Sequence, residues 1–102
     1  MKPYENYLNI LRKSSKEKSE IRFAANQLLE MHNEASKREN PIIVELGVDQ
    51  GQSTKVFLNA ISEKPNAKLI SIDILDCKDA AKSDNWDFVQ QDSADIETLI
   101  LK

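Results

Sequence analysis

A chain of 102 residues has room for one domain around one modest core, and 40% hydrophobic with 30% charged residues is the balance of a globular protein. Fourteen Lys and Arg against seventeen Asp and Glu leave a net charge of −3. The basic residues before position 40 alternate with Glu17, Glu20, Glu30, Glu34 and Glu39 as on a solvated helix face, so a nucleic acid partner is not expected. The longest aliphatic run, Ile42-Ile43-Val44, is too short for a bilayer, Met1–Asn6 lack the apolar stretch of a signal peptide, and Cys77 is the sole cysteine. No membrane association is expected, and a cytoplasmic setting is the simplest reading.

Residues 1–40 read as a helical region. Tyr4, Tyr7, Leu8 and Leu11 fall on one side of a first short helix. Ser14-Ser15 is the expected break, with Ser15 as N-cap of a second helix over about 16–37, where Ile21, Ala24, Ala25, Leu28, Leu29, His32 and Ala35 recur at helical steps. His32 is expected as packing, since one histidine and one cysteine cannot make a metal site of the usual spacing. Asn40-Pro41 ends the helical region, because the residue before proline is pushed out of the α conformation.

From Pro41 onward strand and helix alternate. Residues 41–46 are β-branched and apolar on both faces, as in a buried parallel strand. Gly47 to Gly51 turn the chain into a helix over 53–63, stopped by Lys64-Pro65-Asn66. Residues 69–72 form a second strand ending in Asp73, Cys77 to Lys82 a short helix, 87–90 a third strand, and Asp95 to Leu101 a last helix. This order predicts an α/β fold with a parallel sheet of three strands and right-handed crossovers, residues 41–102 forming a partial cofactor-binding domain after the helical region 1–40. Trp86 and Phe88 are expected in core or rim packing.

The informative stretch is Val44-Glu45-Leu46-Gly47-Val48-Asp49-Gln50-Gly51-Gln52-Ser53-Thr54, which holds the only two glycines. Where a buried strand turns into a helix, unpaired backbone N–H groups point out of the sheet, and a glycine lets a ligand approach the main chain. Asp73, 26 residues after Gly47, ends the neighbouring strand in the same crevice, where a carboxylate can accept hydrogen bonds from two ribose hydroxyls. The loop is G-x-x-x-G rather than the G-x-G-x-x-G of dinucleotide folds, and Asp49 at its centre suits an amino or sulfonium group better than a diphosphate. No Gly-Lys-Ser/Thr occurs, which excludes a Walker phosphate loop. Plain turn roles for the glycines and cap roles for Asp73 and Asp92 remain the alternatives.

Residues 42–54 resemble the first motif of class I S-adenosylmethionine-dependent methyltransferases, most closely the small-molecule O-methyltransferase and cephalosporin-hydroxylase-like branch. Leu69-Ile70-Ser71-Ile72-Asp73 is similar to the second motif, and Phe88-Val89-Gln90-Gln91-Asp92-Ser93 to the motif at the third strand. The resemblance implies a Rossmann-like fold with S-adenosylmethionine as cofactor. It would set Glu45, Gly47 and Gly51 around the methionine part, with Ser53 as the hydroxyl residue after the second glycine, Asp73 at the ribose and Asp92 at the adenine amino group. Asp49 departs from the commoner glycine. The family's domain has seven strands with strand 1 central and paired to strand 4, so the chain reads as its N-terminal part, with no catalytic residue assignable and a small-molecule acceptor implied for the whole enzyme. The alternative reading is a cofactor-binding or assembly module without catalysis. In either case the edge of residues 42–46 is expected to be covered by a second copy, by another chain, or by a rearranged N-terminal helix.

Overall fold

The computed structural model describes residues 2–17 and 22–92. Within them lie α1 (Glu5–Lys16), α2 (Arg22–Lys37), β1 (Ile42–Leu46), α3 (Gln52–Ile61), β2 (Lys68–Asp73) and β3 (Trp86–Gln90). The helix expected over 95–101 lies outside the described residues. The three strands form a parallel sheet in the order β1-β2-β3, with Ile43 opposite Leu69 and Leu69 opposite Trp86. The chain is thus mixed α/β, compatible with half of a Rossmann-like fold. None of the described helices is long and apolar enough to cross a membrane.

α3 is the hub. It joins β1 to β2, and its small and apolar side chains face two ways. Leu58, Ala60 and Ile61 pack with Ala35 of α2 and with Ala67 and Leu69 at β2, flanked by Ile43, Phe57 and Trp86. Val56 meets Leu8 and Leu11 of α1 and Ala25 of α2. Leu8, Val56, Leu58, Ile61 and Leu69 have no exposed surface, each contributing about 1.5–3 kcal/mol of burial. Asn59, also buried, is the polar rivet between these helices. Its amide N donates to the Pro3 carbonyl (2.7 Å) and to Glu5 Oε2 (3.2 Å), while its Oδ1 lies 2.9 Å from His32 Nε2. His32 is therefore half-buried packing that also carries a hydrogen bond.

Three local expectations are corrected. The first helix does not break at Ser14-Ser15 but runs on to Lys16. Ser14 continues the buried stripe of Leu8 and Leu11, and Ser15 Oγ donates to the Arg12 carbonyl (2.8 Å), satisfying its hydroxyl within the helix instead of capping another. Residues 77–82 make a single turn, Ala80 N to Cys77 O (3.0 Å), and no helix. Other partners compete for this backbone: Asp76 Oδ1 accepts from Lys78 N, and Tyr4 Oη, from the far end of the chain, takes the Lys82 N–H (2.8 Å), so one turn is nucleated and not propagated. Finally, β1 is not buried on both faces. Ile43 packs with residues of α2 and α3 and Glu45 is bonded to the start of α3, whereas Ile42, Val44 and Leu46, which alternate with them, are 71%, 48% and 56% exposed.

Replacing Asn59 with Ala strips three hydrogen bonds from a buried site, which costs about 2–3 kcal/mol. In a domain this small, thermal unfolding followed by circular dichroism is expected to show a midpoint lowered by on the order of 10 °C. An unchanged midpoint would mean that the helices are held by apolar packing alone.

Candidate functional site

The carboxyl ends of β1 and β2 are shaped by the turn after Leu46. Positive φ recurs at every second residue: 84° at Gly47, 53° at Asp49 and 81° at Gly51. Aspartate is among the few non-glycine residues that tolerate the left-handed region, which is how Asp49 can stand where the resembling family commonly has glycine. Gly47 N donates to the Ile72 carbonyl of β2 (2.7 Å), and Gly51 N to the Val48 carbonyl (2.8 Å), after which α3 begins.

The two glycines serve different ends. A Cβ on Gly47 would meet nothing within 4 Å, so its bareness leaves main chain open to the crevice. A Cβ on Gly51 would lie 3.3 Å from the Cβ and the carbonyl O of Ala80. The close approach that Gly51 permits is thus from the segment between β2 and β3, and Gly51 itself is buried.

Asp73 ties this turn to β2. Its Oδ2 accepts the Val48 N–H (2.8 Å) and its Oδ1 the Leu75 N–H (2.9 Å). These two backbone donors, Leu75 first and Val48 next, hold its carboxyl below the usual aspartate range. The Asp49 N–H and the Cys77 thiol bear on the same carboxylate, so a ribose diol would share it with the turn. The Cys77 thiol beside it is pushed up, first by burial and then by the Asp73 charge, which suits packing better than nucleophilic work.

Glu45 sits beneath the turn rather than in the crevice. Only 7% exposed, it accepts from Ser53 Oγ, from Thr54 Oγ1 (2.5 Å) and from Ser71 Oγ (2.8 Å). Ser71 Oγ in turn accepts from Trp86 Nε1 (2.8 Å), so one chain of bonds crosses all three strands and the first turn of α3. A buried carboxylate at a helix N-terminus is also favoured by the helix dipole.

Two small crevices flank Gly47. One, about 210 Å³, is lined by Leu28, Val48, Asp49, Gln50 and Ser53 among others. The second, about 170 Å³, is bounded by Ile72, Asp73, Ile74 and Asp92. Of the residues expected around a cofactor, Gly47, Ser53, Asp73 and Asp92 therefore border these two hollows, while Glu45 and Gly51 build the turn behind them. Sequence reasoning passed over Ser71 and Ala80. Ser71 was legible in principle, since it lies in register opposite Glu45 and so shares its face; Ala80 lies in an irregular segment with no periodicity to mark it. Among the described residues no group of three His, Cys, Asp or Glu is placed to hold a metal ion.

Because the folded-state pKa of Asp73 is depressed, its contribution to stability is present above the unfolded value of about 3.9 and is lost as pH falls through the lower folded value. Glu5, bonded first by Arg12 and then by Asn59, and Glu34, bonded first by Lys37 and then by Arg38, are lowered as well, so a difference between variants is the informative quantity. Asp73→Asn is expected to lower the melting temperature at pH 7, with the gap to wild type narrowing below about pH 4. A gap that stays constant down to pH 2 would mean that the charge does not hold the turn.

Comparison of the chain with protein-family models, with curated proteins and with solved structures returned no match, so the case for a function rests on the geometry of this turn.

Proposed function

We propose that the chain is the S-adenosylmethionine-binding portion of a methyltransferase that acts on a small molecule, working in a cytoplasmic setting. The observation that carries this reading is the pairing of Gly47, bare toward the crevice, with the ionised Asp73 at the end of the adjacent parallel strand. Ligands of open parallel sheets bind outside the carboxyl ends of the strands, and a carboxylate there can accept from both ribose hydroxyls.

Charge narrows the ligand further. Asp49 lines one hollow, and Asp73 and Asp92 line the other. Carboxylates so placed disfavour a pyrophosphate and favour a ligand with an ammonium and a sulfonium group. In this arrangement the methionine part lies along Gly47, Asp49 and Ser53, the ribose at Asp73, and the adenine amino group toward Asp92. Bound S-adenosylmethionine supplies an electrophilic methyl group; the residues in hand bind and orient that cofactor. Glu45 and Gly51 keep the turn in shape. Holding the acceptor in line with the sulfonium belongs to further β-α units of a whole enzyme.

A second reading, a cofactor-binding or assembly module without catalysis, is favoured by the uncovered apolar side chains of β1. The methyltransferase reading and a cofactor-binding module both require the cofactor site, and calorimetric titration tests it. S-adenosylmethionine and S-adenosylhomocysteine are expected to bind and NAD is not, with Asp73→Ala and Gly47→Val each weakening binding at least tenfold. Equal binding of NAD, or binding indifferent to both substitutions, would overturn the assignment.

A further inference from the structure

The connection between β2 and β3 has no helix or strand of its own, yet it meets both the glycine turn and its aspartate. Near its start, Leu75 N donates to Asp73 Oδ1 (2.9 Å). Farther on, Ala80 closes on Gly51 so tightly that a Cβ there would lie 3.3 Å from the Ala80 Cβ and carbonyl O. Between these points the segment holds itself through the Ala80 N to Cys77 O turn (3.0 Å) and the Lys78 N to Asp76 Oδ1 bond (3.2 Å). Ile74, Leu75, Asp76, Lys78 and Asp79 are exposed. A stretch with so little buried surface opens at small cost unless it is tied down.

The tie comes from the other end of the chain. Tyr4 Oη accepts the Lys82 N–H (2.8 Å) and donates to the Lys82 carbonyl (3.3 Å), gripping both main-chain groups of a residue two positions beyond Ala80. Tyr4 is itself set from both sides by α3. The buried Asn59 amide donates to the Pro3 carbonyl before it (2.7 Å) and to the Glu5 carboxylate after it (3.2 Å). The Tyr4 backbone lies in the left-handed region, with φ 62°. A bulky residue takes that conformation at a cost, and it persists where the surroundings over-determine it. Turned this way, the ring packs on the cluster of Leu58, Ile61 and Leu69 while its hydroxyl reaches Lys82.

We propose that Tyr4 is a positioning residue for the ligand site: its hydroxyl clamps the β2–β3 connection onto Gly51, so that docking of residues 3–5 on α3 sets the glycine turn. The route runs from Asn59 through Tyr4, Lys82 and Ala80 to Gly51. From there it continues through the Gly51 N–H on the Val48 carbonyl to the Val48 N–H, which Asp73 accepts. Without the hydroxyl, Ala80 no longer backs Gly51, and the left-handed residues 47, 49 and 51 lose a wall. The N-terminal helical region thereby controls the crevice: whatever lifts residues 3–5 from α3 loosens the turn without touching its lining. The effect on ligand affinity rests on the reading of this turn as the cofactor site; the effect on the turn itself does not.

Tyr4→Phe keeps the ring and its packing and removes both bonds to Lys82. Amide hydrogen exchange of the ligand-free chain, resolved by NMR, is expected to be about fivefold faster at Lys82, Gly51 and Val48, the worth of one hydrogen bond. Leu58 and Ile61 are expected to be unchanged. In an Ala80→Gly background the same substitution is expected to accelerate Lys82 but to add nothing at Gly51 and Val48, because the contact that carries the effect is gone. Uniform acceleration at all of these amides is the mark of a merely structural role and would overturn the proposal. So would unchanged exchange at Gly51 and Val48, or an effect there that Ala80→Gly leaves undiminished. Calorimetry reads the consequence for the site: S-adenosylhomocysteine is expected to bind Tyr4→Phe about fivefold more weakly than the unsubstituted chain. Equal affinity would sink the control of the site by Tyr4. Absence of binding to either chain, with the exchange pattern as expected, would sink the cofactor reading and leave the clamp standing.

Discussion

Everything at the carboxyl end of the sheet depends on one buried carboxylate. Glu45 comes from β1, Ser71 from β2, and Ser53 and Thr54 from the first turn of α3; their hydroxyls converge on it. A carboxylate taken out of water is costly unless its oxygens are matched by donors, and three hydroxyls plus the helix dipole supply that match. The consequence is a fixed distance between the strand, the turn and the helix. Gly47 and Asp73 can then be positioned by backbone bonds alone, one to the Ile72 carbonyl and one from the Val48 N–H.

That arrangement explains how residue types at the turn divide their work. A glycine is required at 47 and at 51 by positive φ, yet only at 47 does the missing side chain open onto the crevice. At 51 it admits Ala80, whose segment is anchored from the far side by the Tyr4 hydroxyl at Lys82. The N-terminal helices thereby reach the site through the connection between β2 and β3, in addition to Leu28 of α2 at the rim of one hollow.

Much of this was legible in the sequence, for identifiable reasons. The strands read correctly because β-branched runs bounded by Gly, Pro and Asn are strong local signals, and α3 because its apolar positions keep helical period between two such boundaries. The short helix expected at 77–82 failed because its periodicity spans little more than one turn, where Asp76 and Tyr4 offer the backbone other partners. The Ser14-Ser15 pair misled because adjacent serines suggest a break and a cap, until one sees that Ser14 falls on the buried stripe. At the turn, spacing singled out Gly47 and Asp73, but motif spacing cannot tell a residue that borders a hollow from one that braces the turn. Glu45 and Gly51 belong to the second kind, and only side-chain direction reveals it.

The edge of β1 links the two functional readings physically. A strand edge has one set of outward groups, so the five residues Ile42–Leu46 can pair with a parallel strand of a larger doubly wound sheet or with their own copy, but not with both. A catalytic role of the proposed kind requires that this edge be given to another β-α unit, whereas an edge paired with its own copy fits a binding module. The assembly state of β1 and the presence of turnover are for this reason a single physical question.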